Sequence, residues 1–174
     1  MTQTYTYPRI TISGARGIVG QDLTAENALR MAWAYARLVG PGSVILARDA
    51  RPSGLLIHGA VEAGLLAGGV EVIGLDLAPT PTVGIMIRTL GAKGGVNITA
   101  SHNPAPWNAL KFLSADGTFP TDEFVQKYIQ FLHRGEFQHA AWNEIQLSRR
   151  DDSALETHAR LIENAVDCGP IRAK

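Results

Sequence analysis

The sequence predicts an α/β fold: a mixed, mostly parallel sheet with helices on both faces. Three observations carry that prediction. Short apolar runs alternate with stretches of helical periodicity, glycine and proline punctuate the junctions, and the strand-helix order repeats three times before a fourth strand.

Each element follows from its own residues. Arg9-Ile-Thr-Ile-Ser13 reads as a strand closing on Gly14. Thr24 is the N-cap of a first helix, with Glu26 favourably placed in the first turn. Ala25, Ala28, Leu29, Ala32, Tyr35, Ala36 and Val39 recur at helical spacing until Gly40-Pro41-Gly42 stops it. Ser43-Val-Ile-Leu-Ala-Arg48 has the apolar run of a strand buried on both faces. Pro52 at an N1 position opens a second helix that runs to Gly68-Gly69. Val70–Leu75 is a third strand, Thr82–Leu90 a third helix with Gly91 as its C′ residue, and Gly95–Thr99 a fourth strand.

Leu110–Leu113 and the turn at Ala115-Asp-Gly-Thr118 suggest an added antiparallel piece, followed by a helix from Thr121 to His133. From Gly135 the chain turns polar, and Arg149-Arg150-Asp151-Asp152 reads as a charged break. Residues 153–167 then form a helix with Leu155, Ala159, Ile162 and Val166 on one face. The expected organisation is a catalytic domain over residues 1–135 and a connecting segment with a helix over 136–174.

Composition narrows the function classes. With 174 residues, 45% of them hydrophobic, the chain can fill one core without disulfide or metal support. Sixteen Lys+Arg balance sixteen Asp+Glu, so the basic excess of a nucleic-acid binder is missing. No apolar run approaches the roughly 18 residues of a membrane span. Residues 1–5 lack the basic and apolar blocks of a signal peptide, and the lone Cys168 has no internal disulfide partner. The expectation is a soluble domain of the reducing cytoplasm.

The nucleotide-binding templates do not fit. Gly64-Leu-Leu-Ala-Gly68-Gly69 falls late in a helix and reads as glycines ending it, and Gly91-Ala-Lys-Gly-Gly95 lacks the P-loop spacing. The densest polar cluster is Thr99-Ala-Ser101-His102-Asn103-Pro104, directly after the fourth strand. Open α/β sheets bind ligands on such loops at the carboxyl ends of strands. The cluster offers a hydroxyl nucleophile, an imidazole and a carboxamide, with the ammonium of Lys111 ten residues beyond Ser101. The same residues also suit an ordinary polar turn. A hydrolase triad fits poorly, because neighbouring residues seldom face each other and the Gly-x-Ser-x-Gly elbow is missing.

Two more loops sit at strand ends: Ser13-Gly14-Ala15-Arg16-Gly17 and Ala47-Arg48-Asp49-Ala50-Arg51-Pro52-Ser53-Gly54. Glycines around Arg16 would let backbone approach a ligand closely, and guanidinium suits bidentate phosphate contact. Arg48 and Asp49 suit either that role or a structural ion pair. Arg16, Arg48 or Arg51, and Ser101-His102-Lys111 together make a phosphate-handling set. It lacks a carboxylate cluster such as Asp-x-Asp to carry a metal.

Thr99-Ala-Ser-His-Asn-Pro104 with Trp107-Asn108-Ala109-Leu110-Lys111 resembles the phosphoserine loop of the α-D-phosphohexomutases, the phosphoglucomutase, phosphomannomutase and phosphoglucosamine mutase family. Gly14-Ala-Arg-Gly-Ile-Val-Gly20 and Ala47–Gly54 resemble the family's first two loops, in order and spacing. The resemblance implies a three-layer α/β/α domain and a phosphoryl group carried on Ser101, exchanged with a hexose phosphate through a hexose 1,6-bisphosphate that also serves as activator. It implies that His102 assists proton transfer or orients the loop, that Lys111 and Arg16 act on the transferring group, and that Arg51 and Asn103 help bind phosphate. It implies Mg²⁺ with a phosphoserine oxygen of Ser101 as one ligand and the others in a second domain. The partners implied are the hexose phosphate and the remaining domains, with no nucleic acid and no membrane. Two departures concern loop shape: Thr11-Ile12 stand where the family has Gly-Thr, and Ala109 where it has Gly. The resemblance reaches the first of four domains, so the expectation is a piece cut before the second domain, inactive alone. The alternative is a non-catalytic module that binds a sugar phosphate or nucleotide.

Overall fold

The computed structural model describes residues 6–135 and 137–167; the lead at 1–5, Cys168 and the stretch 169–174 lie outside them. Seven strands and five helices follow in chain order. They are β1 (Arg9–Thr11), β2 (Gly14–Ile18), α1 (Ala25–Val39), β3 (Ser43–Arg48), α2 (Ser53–Ala67), β4 (Glu71–Leu77), α3 (Thr80–Leu90), β5 (Gly94–Ile98), β6 (Trp107–Leu113), α4 (Asp122–Arg134), β7 (Ser148–Arg150) and α5 (Ala154–Ala165).

The strands form one sheet in the order β1-β2-β6-β5-β3-β4-β7. β5, β3, β4 and β7 pair in parallel, while β6 runs antiparallel to both β5 and β2, and β1 antiparallel to β2. Thus β2, β3, β4, β5 and β7 share a direction and β1 and β6 oppose it, a mixed sheet that is mostly parallel. Alternate residues of β3 feed two separate cores. Val44 and Leu46 pack with Tyr35 of α1, Leu65 of α2 and Tyr128 of α4, whereas Ile45 and Ala47 pack with Val83 and Ile87 of α3 and Ala154 of α5. Helices therefore cover both faces, in three layers. Full burial of each large aliphatic side chain contributes about 1.5–3 kcal/mol. Tyr35 is buried with its hydroxyl donating to the carbonyl of Leu113 at 2.7 Å, and burial pushes its phenol well above the usual range.

Local signals place the helix ends. The Thr24 hydroxyl accepts from the Asn27 amide at 3.1 Å, and Thr121 caps α4 the same way. Gly91 takes the left-handed conformation that ends α3. Helix α3 begins at Thr80, two residues ahead of expectation, because Pro79 precedes it and Pro81 suits the first turn.

Three expectations are corrected. The stretch from Gly14, expected as a loop, forms β2, because Ala15, Arg16, Gly17 and Ile18 pair with Leu110, Ala109, Asn108 and Trp107. The charged break at Arg149-Arg150 is the end of an edge strand, β7, in register with Ile73 and Gly74 of β4. Charged side chains suit such an edge because they discourage further pairing. In α5 the predicted apolar face is not the packed one: Leu155, Ile162 and Val166 are exposed, and contact with α3 runs through Ala154 and through His158, whose Nδ1 lies 2.8 Å from the Thr82 hydroxyl. Within the segment expected to connect and carry a helix, residues 137–167 add a strand to the sheet and a helix to its second core. Among the described residues no helix is long and apolar enough to cross a membrane.

Candidate active site

Strand β5 ends at Ile98 and releases a tight loop before β6 begins at Trp107. The loop folds on itself: the Asn103 amide donates to the Ala100 carbonyl at 3.1 Å, the Trp107 amide to the Pro104 carbonyl at 3.0 Å, and the Ser101 amide to the Thr99 hydroxyl at 3.2 Å. These bonds hold Ser101 at φ +57°, a left-handed conformation that side-chain-bearing residues rarely adopt. Its side chain faces solvent, and the Nδ1 atom of the exposed His102 lies 3.4 Å from its Oγ, the outer limit of a hydrogen bond.

Arg51 grips this loop from the β3–α2 connection. Asp49 fixes it first, accepting from the Arg51 amide at 3.0 Å and from Nε at 3.2 Å. Nη1 then donates to the carbonyls of Pro104 at 3.1 Å and Trp107 at 3.2 Å, and Nη2 to those of Ser101 at 3.0 Å and Asn103 at 2.7 Å. A guanidinium has five N–H donors, and here all five are engaged. The Arg51 guanidinium, expected to help bind phosphate, here clamps the backbone of the loop. Arg48 pairs at 2.6 Å with the carboxylate of Asp76 and donates to the backbone carbonyl, not the carboxylate, of Asp49 at 3.3 Å.

Arg16 reaches the loop from the other side. It stands opposite Ala109 on β6 and donates through Nη1 to Asn103 Oδ1 at 2.9 Å. It makes no ion pair with a described residue. The glycines around it serve the protein's own packing: a Cβ on Gly14, at φ +116°, would overlap the Leu110 carbonyl oxygen. The close approach expected toward a ligand is thus the approach of β2 to β6.

Lys111 lies on the same face of β6 as Ala109, half-buried. Burial, and secondly the positive charge of Arg16, lower its pKa from the ordinary lysine value, with Asp49 opposing. Its ammonium stands 6.0 Å from the centre of the Phe119 ring. Ser101, His102, Asn103, Arg16 and Lys111 are thus assembled around one loop, with Arg51 behind it.

Sequence reasoning missed two features. Asn108, fully buried, donates to the Ser53 hydroxyl at 3.1 Å and stitches the second loop to β6. Arg9 lines, with Arg16, Asn103 and Trp107, a cavity of about 420 Å³ beside the serine loop. The place of Arg9 opposite Arg16 follows from the β1–β2 pairing, which the strand reading of residues 9–13 alone did not reveal. Among the described residues no group of three or more His, Cys, Asp or Glu side chains could hold a metal.

Comparison with known proteins agrees with this geometry. Residues 10–139 match the model of phosphoglucomutase/phosphomannomutase alpha/beta/alpha domain I. A Thermococcus kodakarensis protein called "probable phosphoglucosamine mutase" is 42% identical over 144 residues, covering 83% of this chain and 32% of its own length. The Sulfurisphaera tokodaii phosphoglucosamine/phosphogalactosamine mutase is 37% identical over 163 residues, 92% of this chain and 36% of the relative. A Thermus thermophilus crystal structure, provisionally called a phosphomannomutase, superposes with a TM-score of 0.78 at 28% identity, over 92% of this chain and 36% of its own. The chain spans about a third of the length of the relatives it matches. It belongs to the phosphoglucomutase/phosphomannomutase family, over that family's first α/β/α domain.

Proposed function

We propose that this chain is the phosphoserine-bearing domain of a phosphohexomutase, acting in the cytoplasm to interconvert a hexose 1-phosphate and its 6-phosphate. The observation that carries this reading is Ser101: exposed, in the left-handed region at the end of β5, on a loop pinned by Arg51 on one side and Arg16 on the other. A nucleophile on such a loop is presented at a fixed position rather than sampled. Amino-sugar phosphates are the first substrates to test, because two of the relatives are called phosphoglucosamine mutases.

In the first transfer a sugar hydroxyl oxygen bonds to the phosphorus carried on Ser101 while the phosphorus–Oγ bond breaks. The hydroxyl loses a proton and Ser101 Oγ gains one; His102, whose imidazole is 3.4 Å from Oγ, takes part in that exchange or orients the loop. The bisphosphorylated sugar turns, and the reverse steps at its other end return a phosphoryl group to Ser101. Arg16 and Lys111 supply positive charge where phosphoryl charge spreads, and Asn103 holds Arg16 in place. Arg51 acts as a positioning residue.

A magnesium ion would add charge compensation at the transferring group. The described residues offer it one oxygen donor, on Ser101, because Asp49 is committed to Arg51. That falls short of six-fold oxygen coordination, so the remaining ligands would come from outside the described residues. Hexose phosphate and the further domains of a longer protein complete the site.

The test is Ser101→Ala in the full-length protein that contains this sequence. Mutase turnover and the phosphoryl mass on the peptide holding Ser101 disappear together while the far-UV dichroism is retained. Turnover at the wild-type rate overturns the assignment.

A further inference from the structure

Among the described residues, Asn97 carries a buried polar atom left without a partner: the side chain is 1% exposed and its Oδ1 accepts no hydrogen bond. It lies next to the end of β5, four residues ahead of Ser101. Its Nδ2 donates to the Thr80 hydroxyl at 2.9 Å and to the Ala78 carbonyl at 3.4 Å, both at the entry to α3. Turning the amide over would set Oδ1 against the Ala78 carbonyl, so these bonds fix which way the oxygen points. A buried carbonyl oxygen with no donor is costly and calls for an explanation.

The sheet narrows the choice of donor, because the side chains of paired residues leave the same face. Toward β3 the register partner of Asn97 is Ala47, whose side chain has no donor; toward β6 it is Lys111, whose ammonium has three. That ammonium makes no hydrogen bond and no ion pair with a described residue, and stands 6.0 Å from the centre of the Phe119 ring. A donor and an acceptor, each without a partner, are thus neighbours on one face of the sheet beside the serine loop.

We propose that Asn97 is a positioning residue for Lys111: its Oδ1 accepts one ammonium N–H once an anion occupies the Ser101 loop, leaving the other N–H donors for the anion's oxygens. A lysine ammonium is a point charge on a flexible stem, with nothing in its own geometry to aim it. A fixed acceptor supplies the aim, and a neutral one does so without cancelling the charge that phosphoryl oxygens need. An arriving anion draws the ammonium from the Phe119 ring and displaces its water, and the acceptor then in register is Asn97 Oδ1. For the anion's identity, a phosphoryl group on Ser101, this inference rests on the phosphohexomutase reading.

The experiment uses the full-length protein that contains this sequence, labelled with ¹⁵N-lysine and ¹³C-asparagine, with inorganic phosphate as the probe. In the wild type, phosphate slows exchange of the Lys111 ammonium protons and produces a scalar coupling between Nζ and the Asn97 side-chain carbonyl carbon. No coupling at saturating phosphate overturns the proposal. In Asn97→Asp the carboxylate holds the lysine by itself, so exchange is already slow before phosphate is added; fast exchange there also overturns it. Asn97→Leu lowers kcat at least about tenfold with KM little changed, and adding it to Lys111→Met costs nothing further, because both break the same contact. Multiplicative losses in that double variant would mean that Asn97 acts only by tying down α3, as would a Thr80→Val variant with the same loss of kcat; either overturns the proposal. If Asn97→Leu does not fold, the wild-type coupling and the Asn97→Asp exchange carry the test. Turnover is scored apart. Coupling in a protein without mutase turnover removes the mutase reading and leaves the lysine anchor, whereas turnover without coupling removes the anchor alone.

Discussion

The guanidinium of Arg51 donates to the carbonyl oxygen of Ser101 at 3.0 Å, across 50 residues of sequence. The same group holds three other carbonyls of the loop, so the conformation of Ser101 is enforced by a residue that does not touch its hydroxyl.

Arg51→Lys tests that relationship. A lysine ammonium lacks the planar fork and cannot reach four carbonyls at once. Each lost charge-assisted hydrogen bond costs about 1–3 kcal/mol, and the first effect falls on the loop. The expected outcome is faster amide exchange over residues 99–107 and a phosphoryl-transfer rate reduced at least about tenfold, with hydrogen exchange and quench-flow as the measurements. Unchanged exchange in that segment would refute the clamp.

Ser101 is held at φ +57°. A side-chain-bearing residue there gives up about 1–2 kcal/mol, which glycine avoids, though glycine adds freedom to the unfolded chain. Ser101→Gly should match or exceed the wild type in urea unfolding, and Ser101→Val should fall at least about 1 kcal/mol below Ser101→Gly, because a β-branched residue is a genuine outlier there. Equal stability of the glycine and valine variants would mean that the strain is not real.

Lys111 carries its charge half-buried beside Arg16, and both effects lower its pKa. Between the folded and unfolded values the unfolded chain binds more protons, so stability rises as pH increases through that window and is lower on its acid side. Lys111→Met should be at least as stable as the wild type at pH 7, with the difference shrinking toward alkaline pH, while phosphoryl transfer drops. Arg16→Ala should move the Lys111 ammonium titration upward in NMR, and Asp49→Asn should move it downward. A wild-type lysine that titrates at its ordinary value would contradict both.

Gly14 adopts φ +116°, and a Cβ there would overlap the Leu110 carbonyl oxygen. Gly14→Ala therefore strains the hairpin and pushes β2 from β6. A loss of about 2–4 kcal/mol is expected, equivalent to roughly 4–16 °C of melting temperature. A variant melting with the wild type would show that β2 does not pair with β6 in this register.

Several elements were legible from residues close together in the chain. Thr24 capping α1, the apolar run of β3, Gly91 ending α3 and the Thr99–Pro104 cluster after β5 are all local features, and each stands where the residues predict. The Ser101 loop could be picked out as a candidate site for the same reason, since loop chemistry at a strand's carboxyl end depends on which strand precedes it, while the role of Ser101 came from the resemblance of its motif. Four other features needed partners distant in sequence. Gly-Ala-Arg-Gly-Ile has too little β-propensity to be a strand by composition, and becomes β2 because β6 offers its hydrogen bonds. Arg149 and Arg150 join the sheet because β4 presents an open edge. The periodicity of α5 revealed an apolar stripe but not that Ala154 and His158, on another side, meet α3. The four carbonyls that Arg51 clamps come within its reach only through folding. Periodicity and capping are satisfied within one or two turns of chain, whereas the partner of a strand edge or a guanidinium exists only after the chain has closed upon itself.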